Sequence, residues 1–357
     1  MILFVQDSSP ANSKVSVLLH VKLFLAHNWR LLLGGSAVLG LCTGAWYGIR
    51  HRRRIKRRPA KSRYPGLHNI GNSCYLNSVL QALAAVSNRL QIQPTTPFTA
   101  ELLRILTSLN KRGGTLNAQS LVATMGGSLN CEQQDAHELL QAMLAVASKS
   151  QNPVQENTAN VYPAQTTESR SIPWELSMAN CVRCTACGQT SDAGVRITNI
   201  AILTLPPSTM LESSFLTVLQ PDHLADYSCH CGKIGASFKL SSLVRWPPIL
   251  VLHVQRLGVA NTMIVKEEAA MQFPVVMQAW RQEGHLLRMA VERPVYMLAA
   301  VIEHVGGVGG GHYIAYRRVR ENGNRSRWLY CSDSIVSEVT VDQVLLSQAY
   351  ILVYERT

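Results

Sequence analysis

The stretch that decides the fold reads GLHNIGNSCYLNSVLQ from Gly66 to Gln81. Its second half carries apolar residues at helical spacing, and Cys74 stands where that helix begins. A thiol at a helix N-terminus lies at the positive end of the macrodipole, which stabilises the thiolate as a nucleophile. Gly71 lets the backbone approach closely, and Asn69 can direct an amide N–H at an oxyanion. The stretch indicates a reactive cysteine, although an isolated cysteine is more often a small buried hydrophobe.

Far along the chain, His312 is the best-placed partner for Cys74. A thiolate nucleophile needs a base, usually a histidine that is held by a third group. His312 follows the glycine-rich run VGGVGGG at 305–311 and begins an apolar strand. Beyond a second strand, Ser332 offers a hydroxyl and Asp333 a carboxylate. Cysteine, histidine and Ser/Asp in this order form a constellation suited to acyl transfer.

The composition is that of a folded domain. The chain has 357 residues, of which 47% are hydrophobic and 16% charged, so it is neither disordered nor fibrous. The net charge is +12, but a block of basic residues without an acid lies between Arg50 and Arg63, and the chain from Tyr64 onward is nearly balanced. A basic surface for nucleic acid is therefore a poor interpretation, and we expect no nucleic-acid partner.

The residues before the basic block predict a membrane anchor. Residues 31–49 (LLLGGSAVLGLCTGAWYGI) contain no charged side chain and extend about 28 Å as a helix, just enough for a hydrocarbon core of about 30 Å. A cleaved signal peptide, the alternative, carries its positive charge before the apolar run, whereas here the charge follows it. We predict an N-terminal segment at 1–30, a single transmembrane anchor at 31–49 and a basic linker at 50–63.

The basic linker also predicts orientation. Dense positive charge directly after the span keeps the remaining chain in the cytosol by the positive-inside rule. A weak apolar span flanked by such charge is typical of anchors in the mitochondrial outer membrane. Cytosolic cysteines are reduced, so the thiols are available for catalysis or for metal binding.

The pattern of apolar residues changes along the rest of the chain. Helical spacing dominates up to residue 148, residues 150–172 are polar and unpatterned, and short runs typical of strands follow. A helical half followed by an antiparallel half predicts an α+β fold rather than a doubly wound sheet.

Four motifs resemble those of the ubiquitin-specific proteases. They are the cysteine box at 66–81, EQQDAHELL at 132–140, GHYIAY at 311–316 and WLYCSDS at 328–334. The resemblance covers about 64–357 and implies a catalytic domain with the papain-like cysteine protease fold of that family. It further implies three parts, a helical thumb at about 64–172, β fingers at about 173–245 and a β palm at about 246–357. With its anchor and basic stretch, the chain most resembles the member of that family in the mitochondrial outer membrane.

The resemblance implies a cysteine deubiquitinase that hydrolyses the isopeptide bond at the C-terminal glycine of ubiquitin. In this interpretation Cys74 is the nucleophile, His312 the general base and acid, and Asn69 an oxyanion donor together with the backbone N–H of Cys74. The reaction proceeds through an acyl-enzyme and requires no cofactor.

The third member of the triad departs from the pattern of the family. Most members carry Asn or Asp where this chain has Ser332. A serine can accept the Nδ1–H of His312 and fix its tautomer, but it brings no negative charge to an imidazolium. Asp333, the next residue, is the competing candidate, and we favour Ser332.

Residues near the two boxes are expected to hold the ubiquitin tail. The resemblance implies that acids in the helix after Glu132 pair with the arginines of that tail, while a solvated helix face is the alternative. The expected substrate-binding residues are Gln134, Asp135, Glu138, Gly311 and Tyr313. His253 and His304, within strand patterns, are expected to be structural.

Two cysteine pairs are candidates for a metal site. Cys184 and Cys187 precede the pair Cys229 and Cys231 by about forty residues, which fits a tetrahedral S₄ zinc site. In the family, paired cysteines at these places in the fingers bind zinc structurally. The alternative is that these are unliganded thiols or a decayed site.

These expectations combine into a membrane-anchored deubiquitinase. Its implied partners are ubiquitin and ubiquitinated proteins of the mitochondrial outer membrane, so that its activity opposes mitophagy. The alternative is a catalytically weak or inactive ubiquitin-binding module tethered to the membrane, which the unusual Ser332 keeps open.

Overall fold

The computed structural model describes residues 62–125, 134–151, 172–191, 194–260, 263–279, 294–321 and 325–357. The predicted N-terminal segment, the anchor and nearly all of the basic linker lie outside these ranges. The chain divides into two units, Met1–Pro59 and Ala60–Thr357, and every described residue belongs to the second. Within the described ranges, no helix has the length and apolar character needed to cross a membrane.

The N-terminal part of the described chain is helical. It contains α1 (Cys74–Ala85), α2 (Pro97–Leu109), α3 (Gln119–Thr124) and α4 (Ala136–Gln151). Helix α2 begins with a reciprocal capping box between Thr96 and Thr99 and has Pro97 in its first turn, where the missing N–H costs nothing. Helix α1 is buried from Cys74 to Ala84 because α2 and α4 pack on it from one side and the main sheet from the other.

The main sheet packs against α1. Its strands are β3 (Leu203–Leu205), β6 (Ile249–Val254), β9 (Val276–Gln278), β10 (Val295–Gly307), β11 (Gly310–Arg320), β12 (Ser326–Ser332), β13 (Ile335–Val339) and β14 (Ala349–Arg356). The order is β13-β12-β11-β10-β14-β6-β3, with β9 paired to β10. Only the β3–β6 pair is parallel among the described pairs. Strands β6 and β14 are buried almost throughout, so both faces of the sheet are covered.

A second, smaller sheet lies between the helical part and the main sheet in sequence. Its strands are β1 (Leu176–Cys184), β2 (Arg196–Ile200), β4 (Asp222–Leu224) and β5 (Ser237–Arg245), in the order β2-β1-β5-β4. A separate hairpin joins β7 (Leu257–Ala260) to β8 (Met263–Lys266). Helices α5 (Leu211–Leu219) and α6 (Val341–Leu345) complete the described elements.

The α+β architecture predicted from the sequence is confirmed, with one local difference. The apolar run at 195–205 reads as a single strand, yet it contributes β2 to the small sheet and β3 to the main sheet. The chain bends at Ala201 and Ile202, which are half-buried against the helical core. Alternation alone does not show such a change of sheet, because both strands share the same apolar pattern.

Candidate active site

The loop before α1 is wound around the side chain of Asn69. The Asn69 Oδ1 accepts hydrogen bonds from the backbone N–H of Gly71 at 3.0 Å and of Ser73 at 3.2 Å. Gly71 has φ of 101° and Asn72 has φ of 47°, a left-handed pair that turns the chain into the helix. Cys74 is the first residue of α1 and is 4% exposed, so the thiol lies at the helix N-terminus as predicted from the sequence.

Asp333 fastens this loop to the main sheet. Its Oδ2 accepts from Asn69 Nδ2 at 3.0 Å, and its Oδ1 accepts from Asn77 Nδ2 at 2.7 Å. Its carbonyl accepts from the backbone N–H of Leu67 at 2.9 Å. Gly66 lies so close that a Cβ there would be 2.6 Å from the Asp333 carbonyl oxygen. Both carboxylate oxygens of Asp333 therefore hold asparagines of the cysteine segment.

Ser332 is the residue that contacts the histidine. His312 Nε2 and Ser332 Oγ are 2.8 Å apart, on the adjacent strands β11 and β12, and α1 packs against β11. The expectation that the Nδ1–H of His312 faces Ser332 is wrong, because the ring presents Nε2 to the hydroxyl. Nδ1 is then the nitrogen left for the thiol.

A glycine hairpin carries His312 to this position. In the register of β10 and β11, Val305 pairs with His312, Gly306 with Gly311 and Gly307 with Gly310. A Cβ at Gly306 would lie 2.7 Å from the Cα of Gly311. Gly306 and Gly311 are thus required by the close approach of the two strands next to His312.

A cleft of about 240 Å³ lies beside this hairpin. It is lined by Gln134, Asp135, Arg256, Leu257, Lys266, His304, residues 307–310, Tyr313 and Tyr350. Asp135 Oδ1 caps α4 by accepting from the backbone N–H of His137 at 2.6 Å, and its Oδ2 accepts from the hydroxyls of Tyr313 and Tyr350. Burial raises the pKa of both tyrosines, and the adjacent Asp135 carboxylate raises them further.

The five residues expected to bind substrate differ in how they meet this cleft. Gln134 lines it, and Glu138 is exposed on the first turn of α4. Gly311 is exposed at the hairpin, whereas Tyr313 is 6% exposed. Asp135 is half-buried with both oxygens engaged within the protein. The structure therefore brings Gln134, Asp135 and Tyr313 to the lining of one cleft, whereas Gly311 and Glu138 are exposed and are not among its lining residues.

Three histidines lie beneath the cleft. The rings of His137 and His253 stack with centroids 3.9 Å apart, so His137 is not on a solvated helix face. Burial, together with the neighbouring His137, lowers the pKa of His253 to about 4. Burial likewise lowers the pKa of His304 to about 4, helped by the charge of Lys266. His253 and His304 are therefore neutral structural groups at neutral pH.

The four predicted cysteine ligands converge at one end of the small sheet. Cys184 and Cys231 have sulfurs 3.9 Å apart, Cys187 and Cys229 3.7 Å apart, and all four sulfurs lie within 4.8 Å of one another. A tetrahedral zinc with bonds of about 2.3 Å needs sulfurs roughly 3.8 Å apart. The residues therefore fit a structural zinc ion.

Two tight turns place these thiols. Gly188 and Gly232 follow the second cysteine of each pair with φ of 74° and 80°, and each donates its N–H to the carbonyl of the first cysteine. The backbone N–H of Cys187 lowers the pKa of the Cys184 thiol, whereas burial and the neighbouring thiols raise the pKa of Cys229. The short spacing between Cys229 and Cys231 is accommodated by the turn.

Two residues at this site are not predicted from the sequence. Asn77 fits the helical pattern of α1, yet a polar side chain on the buried part of that helix is a signal that it meets a polar partner. Gly66 is the first residue of the cysteine box. Only the structure shows why it must be a glycine, because a Cβ there would clash with the Asp333 carbonyl.

The fold and this site together define a papain-like cysteine hydrolase. The profile of the ubiquitin carboxyl-terminal hydrolase family matches residues 65–354. The chain therefore belongs to that family, within the ubiquitin-specific proteases. Hydrolysis by this class needs no cofactor, and the cysteine cluster is suited to structural zinc.

Individual relatives show how far the likeness extends. Ubiquitin carboxyl-terminal hydrolase 25 of Arabidopsis thaliana is 27% identical over 82% of this chain and 47% of its own length. Ubiquitin carboxyl-terminal hydrolase 11 of Schizosaccharomyces pombe is 26% identical over 92% of this chain and 95% of its own. The chain thus spans about half of the plant protein and nearly all of the yeast one.

A solved structure shares the fold. The SAGA deubiquitinase module of Ubp8, Sgf11, Sus1 and Sgf73, bound to monoubiquitin, superposes with a TM-score of 0.64 at 22% identity. The match covers 87% of this chain and 74% of that chain.

Proposed function

We propose that this chain hydrolyses isopeptide bonds at the C-terminal glycine of ubiquitin, with Cys74 as nucleophile. The observation that carries the proposal is the contact between His312 Nε2 and Ser332 Oγ at 2.8 Å, on a strand against which the helix of Cys74 packs. A merely ubiquitin-binding protein needs neither this pair nor a thiol at the adjacent helix N-terminus.

The proposed reaction has two steps. His312 Nδ1 takes the proton of the Cys74 thiol, the sulfur attacks the carbonyl carbon of the terminal glycine, and the same nitrogen returns the proton to the leaving lysine amine. Water then hydrolyses the thioester, giving its proton to His312 and restoring the thiol. The Asn69 side chain and the backbone N–H of Cys74 stabilise the oxyanion in both steps.

Ser332 is the proposed third member of the triad. Its hydroxyl holds His312 Nε2 and so leaves Nδ1 towards the thiol. Asp333 is assigned a different role, because its two carboxylate oxygens bind Asn69 and Asn77. We propose that Asp333 orients the oxyanion donor.

The ubiquitin tail is proposed to occupy the cleft beside the glycine hairpin. Gln134, Tyr313 and the hairpin residues 307–310 line this cleft, the exposed Gly311 follows the hairpin, and the exposed carboxylate of Glu138 is available to an arginine of the tail. Cys184, Cys187, Cys229 and Cys231 would hold a zinc ion that cross-links the two turns of the fingers and takes no part in the chemistry.

The proposed location is the mitochondrial outer membrane, with residues 31–49 as a single span and the catalytic domain in the cytosol. The support is the uncharged run at 31–49 and the basic block after it. Ubiquitinated outer-membrane proteins are then the substrates, and their deubiquitination opposes mitophagy.

The test of activity is reaction of the full chain with ubiquitin that bears a C-terminal electrophile, read by intact mass. We expect one ubiquitin per chain, no adduct with Cys74→Ala, and an unchanged adduct with the matched control Cys181→Ala. A folded chain that binds ubiquitin but forms no adduct is instead the tethered binding module.

The test of location is separate. Mitochondria from cells expressing the chain with a C-terminal epitope are extracted with carbonate and, in a parallel sample, treated with protease while intact. We expect the chain in the carbonate pellet and the epitope lost to protease, and a chain without residues 31–49 in the supernatant. Recovery of the intact chain in another membrane fraction would reject the mitochondrial location.

A further inference from the structure

Lys266, at the end of β8, makes three contacts with one short segment of β10. Its Nζ donates to the carbonyl oxygens of His304 at 2.9 Å and Gly306 at 2.5 Å, and it lies 3.2 Å from His304 Nδ1. The three N–H groups of an ammonium are thereby matched to three acceptors. The side chain is half-buried, and the surrounding protein lowers its pKa, chiefly through burial.

These contacts provide hydrogen-bond donors to carbonyl groups at the end of β10. Strand β10 pairs with β14 only as far as Glu303 opposite Ala349, whereas it continues to Gly307 in its pairing with β11. Among the described strands, none pairs with the end of β10 on the side of β14. Lys266 supplies donors to carbonyls there, in place of the N–H groups of a neighbouring strand.

The secured segment lies directly against the base. His304 packs so tightly on Gly311 that a Cβ there would be 2.3 Å from His304 Nε2, and Gly311 immediately precedes His312. The ring of His304 also lies 4.6 Å from that of Tyr313, on the other side of His312 in sequence. A shift of His304 is therefore transmitted to the residues on both sides of the base.

The opposite end of Lys266 is anchored as well. The next residue, Glu267, donates its backbone N–H to the carbonyl of Arg256 at 2.7 Å, and Arg256 Nη1 donates back to the Glu267 carbonyl at 3.0 Å. Arg256 is 2% exposed and its Nε also donates to the Ala349 carbonyl at 2.8 Å. The lysine thus extends from a fixed strand end to an exposed glycine hairpin.

We propose that Lys266 is a positioning residue for His312, which clamps the glycine hairpin by binding the carbonyls of His304 and Gly306 and the imidazole of His304. It touches neither the thiol nor the scissile bond. The inference rests on the proposed function to the extent that His312 acts as the base for Cys74.

The test compares Lys266→Met, which keeps the stem and removes the donors, with Lys266→Arg, which keeps donors for two carbonyls. Lys111→Met, in an exposed lysine beyond the end of α2, is the matched control. Steady-state hydrolysis of a ubiquitin C-terminal amide gives kcat and KM, and thermal melting reports folding. Alkylation of Cys74 by iodoacetamide, followed by peptide mass, probes the Cys74–His312 pair without ubiquitin.

We expect Lys266→Met to lower kcat by roughly ten- to a hundredfold, since a misplacement of about 1 Å has such an effect. KM should stay within about threefold, alkylation of Cys74 should slow, and Lys266→Arg should recover most of kcat. A variant that loses only KM assigns Lys266 to tail binding and overturns the proposal, as does an effect no larger than that of Lys111→Met.

Two further outcomes are also decisive. If Lys266→Met does not fold, Lys266→Gln replaces it, and a kcat equal to that of Lys266→Arg overturns the proposal. If the wild-type chain does not react with ubiquitin, the proposed function fails, and the alkylation comparison alone then supports or overturns the role of Lys266.

Discussion

The proposed catalytic centre around Cys74 and the cysteine cluster of Cys184, Cys187, Cys229 and Cys231, called the fingertip below, use the same residue type in opposite ways. At the catalytic centre, one buried thiol depends on contacts between segments far apart in the chain, such as Asn69 with Asp333 and Asn77 with Asp333. At the fingertip, four thiols lie in two short turns, and each turn is closed by a local hydrogen bond onto its first cysteine. The first site depends on the whole fold, whereas each half of the second depends on about five residues.

This difference predicts which properties a substitution at each site should change. A change at the catalytic centre should affect the rate strongly and folding weakly, because its polar contacts lie at the surface of an apolar core. A change at the fingertip should affect the local order of the fingers and leave the chemistry of Cys74 nearly intact.

The largest effect on rate is expected from Asn69→Ala. Loss of an oxyanion donor typically costs about 3–4 kcal/mol, or a hundred- to thousandfold in kcat. Hydrolysis of a ubiquitin C-terminal amide measures the rate, and Asn117→Ala, in an exposed asparagine, is the control. A loss confined to KM would remove Asn69 from the oxyanion site.

The same variant tests Asp333 through a double-mutant cycle. If Asp333 acts by orienting Asn69, Asp333→Ala in the Asn69→Ala background should have little further effect on kcat, with a coupling of about 1–3 kcal/mol. Ser332→Ala and Asp333→Ala should instead be nearly additive. Strong coupling between Ser332 and Asp333 with none between Asn69 and Asp333 would exchange their roles.

The next effect is on stability and concerns the histidines beneath the cleft. The pKa of His253 is about 4 in the folded chain, and its ordinary value is about 6.5. Between these values the unfolded chain binds a proton that the folded chain does not, so stability is present above pH 6.5 and is lost as pH falls through 4. The loss should be about 3 kcal/mol.

Denaturant unfolding from pH 7 to pH 4 measures this loss. His253→Gln should remove the contribution of His253 and leave those of His137 and His304, whose pKa values burial also lowers. His68→Gln, in an exposed loop, is the matched control. An identical slope in wild type and His253→Gln would show that His253 is not the titrating group.

The contrast between the two sites also explains what the sequence could predict. Spacing predicts the four cysteines of the cluster, because each pair lies within one turn. Local motifs predict Cys74, Asn69 and His312, but the expectation that Nδ1 faces Ser332 is wrong, since the orientation of the His312 ring depends on how β11 and β12 pack. The role of Asp333 depends on Asn77 and Gly66, more than 250 residues away, and no local pattern shows that contact.

A smaller effect is expected from Ser332→Ala. A hydrogen bond between neutral groups contributes about 0.5–1.5 kcal/mol, so kcat should fall by at most about tenfold. Ser332→Asp, which places one of the two usual residues of the family there and adds a negative charge beside the ring, should raise kcat if the ring keeps its position. Unchanged turnover in Ser332→Ala would mean that packing alone orients His312.

The smallest effect on turnover is expected from changes in the fingertip cluster. A large effect there would contradict the difference drawn between the two sites. Cys187→Ser removes an exposed ligand and should reduce bound zinc, measured by metal analysis, from one per chain to a small fraction. Limited proteolysis should then cut within the fingers, because the ion no longer joins the two turns.

Cys181→Ser, three residues before the cluster, should retain zinc. Since the cluster lies at the small sheet, whereas Cys74 begins α1 and His312 lies on β11 of the main sheet, alkylation of Cys74 should stay within about threefold of wild type. A loss of Cys74 reactivity comparable to that of Asn69→Ala would show that the fingers and the catalytic centre fold as one cooperative unit.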